Sequence, residues 1–304
     1  MTGSPADARR RHYAGFYGDA PSPDDDRPVL VVHGNCQAEA LRVVLEASTD
    51  ALCTVRVPPV HELEPDDLPW LHRLLARTSV LVAQPVRDDF HDLPLGTAQV
   101  AAAAPGARLV RIPVVRHTGL HPWTVLVRTP WMGDPPLVPY HDLRTILEAD
   151  RGVRPAGHRR PDGFRAVAAA SLAELRRRED LHGTLRASDL VEAAGPDAAL
   201  TANHPGNAVL VPLAGRILAA AGVADPARDP GRTLLSSVRA PVQEDVLDAL
   251  GFDRRTARAT WEVGGRDVSE DEVAAAQLGW YADRRPVVDA ALRRFAPAIE
   301  ALGL

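Results

Sequence analysis

The sequence predicts an α/β protein with a parallel sheet in its N-terminal part and a mostly helical C-terminal half. Three observations carry that expectation. PVLVVH (28–33) is a continuous apolar run, the mark of a strand buried on both faces. Short β-branched runs then alternate with stretches of helical apolar period up to about residue 115. That alternation is the pattern of a parallel sheet with right-handed crossovers. Beyond residue 141 the apolar spacing is almost wholly helical.

The elements follow in order. Residues 1–27 are rich in Pro, Asp, Ser and Gly without any period, and are expected as a flexible arm. The first strand breaks at Gly34-Asn35 and passes into a helix over 37–48, with Ala40, Leu41, Val44 and Leu45 on one face. ALCTVRV (51–57) predicts a second strand. PDDLPWLHRLLART (65–78) predicts a helix, with Pro65 and two aspartates in the first turn where the macrodipole favours negative charge. SVLVAQ (79–84) and ARLVRIP (107–113) predict the third and fourth strands, with a helix at TAQVAAAA (97–104) between them. Residues 113–141 are proline-rich and aperiodic, a loop long enough to be functional. Helices are then expected at 141–149, 164–179, 188–195, 207–222, 269–283 and 286–302, and a small hairpin at WEVGGRDV (261–268) on Gly264-Gly265. The expected organisation is a flexible arm (1–27), a Rossmann-like α/β sheet domain (28–150) and a mostly helical part completing the active site (151–304).

Composition narrows the function. The 304 residues are 45% hydrophobic and 25% charged, which suits a folded globular chain. All 35 basic residues are arginine, against 40 acids, for a net charge of −5. That balance excludes a surface given over to nucleic acid, while a local arginine cluster can still hold phosphates. Cys36 and Cys53 are too few for a disulfide framework. With no leader pattern and no membrane-length apolar run, a reducing cytoplasm is the expected setting, where a cysteine is available for chemistry.

The most informative stretch is His33-Gly34-Asn35-Cys36-Gln37, where the buried first strand meets a helix. In open parallel sheets ligands bind beyond the carboxyl ends of strands. A thiol there meets the positive end of a helix, which lowers its pKa from about 8.5 toward neutrality. Free N–H groups of the same turn can receive an oxyanion. Asn35 and Gln37 bracket Cys36 with amides, so the turn reads as a nucleophile elbow with cysteine in place of serine. An isolated cysteine is more often a small buried hydrophobe, and that reading is kept for Cys53. Gln84, after the third strand, reaches the same edge and is expected to donate its amide to the oxyanion. Arg87 is placed to grip a phosphate or carboxylate in bidentate fashion, or to be a solvated ion pair. Arg111 and Arg116 flank the end of the fourth strand and add to an anion site.

A cysteine nucleophile needs a base, and histidine suits neutral pH. His204, in Asn203-His204-Pro205 before an apolar helix, is the first choice, although the pair could equally cap that helix. His141 with Asp142 is the second, with Asp142 alternatively a first-turn dipole partner. His33 can simply finish its strand. His117, His121 and His141 with Asp142 would suit zinc, but Gly119 and Pro122 oppose a helix there and no HExxH or CxxC occurs, so no metal is expected. Trp123, Trp131 and Tyr140 stack an adenine or shape an acceptor pocket, or anchor the loop. No GxGxxG or Walker sequence follows any strand, so dinucleotide and P-loop readings fall away.

Four segments in order resemble the WcbI-type polysaccharide biosynthesis family: Gly34-Asn35-Cys36-Gln37, Gln84-Pro85-Val86-Arg87-Asp88, Tyr140-His141-Asp142 and Ala202-Asn203-His204-Pro205. The resemblance covers about residues 28–222. It implies an acetyltransferase-like enzyme that takes an acyl group from coenzyme A or acetyl-coenzyme A to a hydroxyl of a sugar or other alcohol. Cys36, His204, Gln84, Asn35, Gln37, His141 and Asp142 are the implied catalytic set. Gly34, Arg87, Arg111, Arg116 and His121 are the implied coenzyme A contacts. A thioesterase or esterase of the same geometry, or a non-catalytic coenzyme A or glycan-binding protein, are the alternatives. Partners are small molecules, with no nucleic acid and no membrane span.

Overall fold

Four parallel strands organise the N-terminal part of the chain. The computed structural model, which describes residues 5–19, 25–127, 132–155 and 160–304, has β1 at Val29–His33, β2 at Cys53–Val55, β3 at Thr78–Ala83 and β4 at Arg108–Arg111. They pair in the order β2-β1-β3-β4, every pair parallel. Helices α1 (Pro5–His12), α2 (Cys36–Ser48), α3 (Leu68–Leu75) and α4 (Thr97–Ala102) precede and connect them. The chain passes from β1 to β2 on one side and then to β3 on the other. The strand order therefore reverses between β1 and β3, and a crevice forms at such a reversal.

Local chemistry explains where these elements stop. Asn35 caps α2, its side chain accepting the Gln37 N–H. The helix buries Ala40, Leu41, Val44 and Leu45, the face expected from spacing. The helix expected over 65–78 is shorter. A tight turn at Pro65–Asp67 precedes α3, and Thr78 already belongs to β3 while its hydroxyl donates to Leu74 O at 2.9 Å.

The chain divides into two compact units. The first comprises Met1–Val114, Arg177–Leu190 and Asn207–Leu234; the second comprises Val115–Arg176, Val191–Gly206 and Leu235–Leu304. The boundary expected at 150 is therefore corrected. The cause lies in the apolar helix Asn207–Ala221, which packs against α2 and β4 and belongs with the sheet. The flexible arm is corrected as well. Tyr13 and Phe16 are buried in one cluster with Val29, Val57 and Leu71. Arg9 holds the segment down, donating to both Asp67 oxygens (3.0 and 2.8 Å) and to Glu62 O (2.8 Å). Residues 1–4 and 20–24 of that stretch lie outside the described residues.

The second unit is helical, with three small antiparallel ladders inserted. Leu143–Arg151, Glu244–Leu250, Glu270–Tyr281 and Arg285–Leu302 are its helices, together with the first part of Pro161–His182 and the last part of Ser188–Ala194. Leu143, Ile146, Phe164, Val246, Val287 and Val288 build its main core. Thr124–Val125 pairs with His141–Asp142, and Ala199–Thr201 pairs with His204–Pro205. The predicted hairpin is present as Trp261–Val263 and Arg266–Val268, its turn made by Gly264 and Gly265, both at positive φ. Val238–Arg239 adds a third strand to it. Among the described residues no helix is long and apolar enough to cross a membrane.

Candidate active site

Cys36 opens α2 at the point where the strand order reverses, and a buried glutamine braces the turn beneath it. Gln84, directly after β3, is 1% exposed. Its Oε1 accepts the Asn35 N–H at 2.9 Å, and its Nε2 donates to Gln37 Oε1 at 3.2 Å and to Pro113 O at 3.4 Å. Its backbone N–H donates to His33 O at 2.9 Å, while Gly34 O accepts from Val60 N–H at 2.8 Å. Gly34 is required here by space: a Cβ on it would stand 2.2 Å from Gln84 Oε1. Cys36 is half-buried, and neither it nor Cys53 is in a disulfide.

These contacts redistribute the expected roles. The Gln84 amide nitrogen is directed at two protein carbonyls, so it is a strut joining the ends of β1 and β3 and not an oxyanion donor. Gln37, also 1% exposed, is the other half of that strut. Asn35 Oδ1 accepts the Gln37 N–H at 2.9 Å, and Asn35 O accepts the Ala38 N–H at 2.9 Å. The Asn35 side-chain NH₂ takes no part in these bonds and remains able to donate. His33 finishes β1: it is 2% exposed, Nε2 donating to Leu95 O at 2.9 Å, with its pKa pushed down by burial. Cys53 is a core residue whose thiol pKa is raised, first by burial and then by Asp25.

Beside the strut, Arg87 and Arg111 line one cleft of about 400 Å³ with Pro85, Val86, Thr97 and His182. Thr97 hangs this cleft on the strut, its hydroxyl donating to Gln84 O at 2.7 Å and accepting the Val86 N–H at 2.8 Å. Both guanidiniums are exposed, that of Arg87 lying 5.9 Å from the Phe90 ring centroid. Sequence reading had missed His182. It ends a polar stretch at the C-terminus of Pro161–His182, and just beyond it Leu185 N–H donates to Arg111 O at 2.8 Å, beside β4.

The remaining expected residues belong to the second unit, and most prove structural. His141 is 1% exposed, with Nδ1 2.6 Å from Tyr281 Oη, and burial pushes its pKa down to about 4. Asp142 is a helix cap, accepting the N–H groups of Arg144 (2.7 Å) and Thr145 (3.4 Å) and pairing with the Arg144 guanidinium. Both are corrected as catalytic candidates. His121, expected as a coenzyme contact, is 2% exposed, its ring nitrogens facing Pro241 O (3.0 Å) and Ala199 O (3.2 Å). Burial holds its pKa down at about 4, so the neutral ring donates to one carbonyl at a time. Arg116 is exposed in this unit and is not among the residues lining the Arg87–Arg111 cleft. Trp123 and Tyr140 are buried packing residues, the Tyr140 hydroxyl meeting Thr201 Oγ1 and Asn203 Oδ1 at 2.8 Å each. Trp131 lies outside the described residues.

His204 is half-buried on the hairpin Ala199–Thr201/His204–Pro205, edge-on to Tyr140 at 6.4 Å, and burial pushes its pKa down. Among the described residues no three histidine, cysteine or acidic side chains group as a metal site.

The model of a family described as polysaccharide biosynthesis enzyme WcbI matches residues 29–226. The chain belongs to the WcbI family. The match takes in the Gly34-Asn35-Cys36-Gln37 turn, the strut, the cleft arginines and the His204 hairpin. A solved structure of WcbI, described as a polysaccharide biosynthesis enzyme in its native form without a disulfide bond between coenzyme A and one of its cysteines, shares the fold. Its TM-score is 0.76 at 19% identity, covering 91% of this chain and 99% of that one. No curated protein matches the chain.

Proposed function

We propose that this WcbI-family chain moves an acyl group, acetyl in the simplest case, from coenzyme A to a hydroxyl of a sugar or other alcohol, with Cys36 as nucleophile. The observation that carries the reading is the seat of Cys36: the first residue of a 13-residue helix, at the strand-order reversal, in a turn braced by buried Gln84. The helix end favours a thiolate there, and the bracing favours a fixed attack geometry.

The Cys36 thiolate attacks the thioester carbonyl, a carbon–sulfur bond forms, and the coenzyme A thiolate leaves. The transient oxyanion is met by the Asn35 side-chain NH₂ and the N-terminal end of α2. The acceptor hydroxyl then attacks the acyl-cysteine, its proton passes to His204, and the Cys36 thiolate is released. Burial keeps His204 neutral at neutral pH, the form a base requires. Arg87 and Arg111 supply cationic forks for coenzyme A phosphates. The description of the WcbI structure, which pairs coenzyme A with a cysteine, supports a thiol beside that cofactor, and the family's place in polysaccharide biosynthesis supports a sugar acceptor.

Intact-mass spectrometry after mixing with acetyl-coenzyme A tests this. An added acetyl group on Cys36 that is lost on adding an alcohol acceptor is the expected result. Rapid loss to water marks a hydrolase, and the absence of any adduct overturns the covalent route.

A further inference from the structure

We propose that Tyr140 is a positioning residue for His204, and that Trp261 and Gln277, both beyond the residues matched by the family model, hold it in that role. This role rests on the reading of His204 as the base of the transfer step.

The hairpin that carries His204 is too small to hold itself. Its strands pair at Ala199↔Pro205 and Thr201↔His204, with Ala202 and Asn203 as the turn. A lone two-stranded hairpin is marginal in water, so its place must be set from outside. Tyr140 does this. Its hydroxyl lies 2.8 Å from Thr201 Oγ1, opposite His204 in the ladder, and 2.8 Å from Asn203 Oδ1, just before His204 in the chain. A phenol has one proton to give. An amide oxygen only accepts, so Tyr140 donates to Asn203 and accepts from the Thr201 hydroxyl. Both sides of the turn are held from one point, and the Tyr140 ring meets the His204 ring edge-on at 6.4 Å.

Tyr140 is itself fixed by the C-terminal part of the chain. It is 2% exposed, in a cluster with Val138, Ala240, Trp261 and Val273. Its ring stacks on Trp261 at 5.8 Å with 22° between the planes, and its carbonyl accepts from Gln277 Nε2 at 2.7 Å. Gln277 is fully buried on Glu270–Tyr281. A buried polar network with its bonds satisfied adds rigidity and direction to plain packing. A misplacement of about 1 Å can cost on the order of a hundredfold in rate, so a fixed hairpin bears on turnover.

Half-reactions of the full chain separate positioning from packing. In the proposed route His204 acts when the acceptor attacks the acyl-cysteine, not when Cys36 attacks the thioester. Tyr140→Phe keeps the ring and loses the hydroxyl. It should load acetyl from acetyl-coenzyme A onto Cys36 within about twofold of the wild-type rate, and pass it to methyl glucoside at least about tenfold more slowly. Gln277→Met should slow the same step by a smaller factor, and it carries the test if Tyr140→Phe does not fold. NMR of ¹⁵N-histidine-labelled protein gives a second readout: the His204 ring signals should shift or broaden in the variant while those of His33, on β1, stay. Unchanged transfer, equal slowing of both half-reactions, or unmoved His204 signals each overturn the proposal. Should His204→Gln transfer normally, or the wild type not transfer at all, the reading of the reaction fails instead. The His204 signals alone then decide whether Tyr140 holds the ring.

Discussion

Gly34 and Gln84 occupy one space: the glutamine carbonyl lies where a Cβ on residue 34 would be, 2.2 Å away. The end of β1 and the end of β3 are thereby locked by a missing side chain on one and a buried amide on the other. The thiol proposed as nucleophile sits two residues further on.

That lock is measurable as an energetic coupling. Gly34→Ala should destabilise the fold by about 1–3 kcal/mol, the usual cost of overpacking. In a Gln84→Ala background the added methyl has room, so the double variant should be more stable than the sum by about 1–2 kcal/mol. Urea unfolding of the four proteins gives the coupling. Simple additivity would mean that the two residues do not compete for the same volume.

The two cysteines should differ in reactivity. Cys36 is half-exposed at a helix start, whereas Cys53 is buried and its thiolate is disfavoured by burial and by Asp25. Iodoacetamide at neutral pH, followed by peptide mass spectrometry, should modify Cys36 at least about tenfold faster. Equal rates at both positions would remove the argument from the helix end.

Catalysis should distinguish His204 from His141. Cys36→Ala, His204→Gln and their double variant are expected to leave similar residual turnover, because residues acting as a unit give non-additive losses. His141→Gln should cost stability through the lost Tyr281 contact while leaving kcat within about threefold. The reverse pattern would shift the base to His141.

Acid should loosen the second unit. His117, His121 and His141 are held by burial at about 4, against 6.5 for an ordinary histidine. Between those values the unfolded chain binds more protons than the folded one. Stability is therefore complete above about pH 6.5 and is lost as pH falls toward 4, by about 1.4 kcal/mol per pH unit for each neutral ring. Urea midpoints at about pH 7.5, 6 and 5 should show the decline, and His141→Phe should reduce its slope. A flat profile would mean that these rings are charged in the fold.

Salt should weaken coenzyme A binding, since exposed guanidinium–phosphate contacts are screened. Arg87→Ala should reduce both the affinity and its salt dependence. Arg294→Ala, an exposed position on Arg285–Leu302, should change neither. Equal effects of the two would point to general charge attraction.

The sheet and the cysteine turn were legible because each leaves a local trace. A strand buried on both faces is an unbroken apolar run, and Gly34-Asn35 breaks it next to a helical period. What Gln84 does was not legible, since an amide can donate or accept, and only the Gln37 and Pro113 carbonyls opposite it decide which. His141–Asp142 and His204–Pro205 are strands of two residues, too short to show any period. Asp142 as a cap was open from its place before a helix, whereas the burial of His141 against Tyr281, far along the chain, was not. The division into units escaped because the partner of an apolar helix is not written in the helix: Asn207–Ala221 could have closed onto any apolar face.

The Arg9 clasp has a practical side. A shortened chain beginning at Pro28, where the apolar pattern starts, would remove Tyr13 and Phe16 and leave Leu71, Val57 and the edge of the sheet bare to water. Such a trimmed protein would still contain every residue proposed for chemistry. It would be expected to clump on concentration, so an attempt to tidy the molecule for crystallisation would discard part of its own interior.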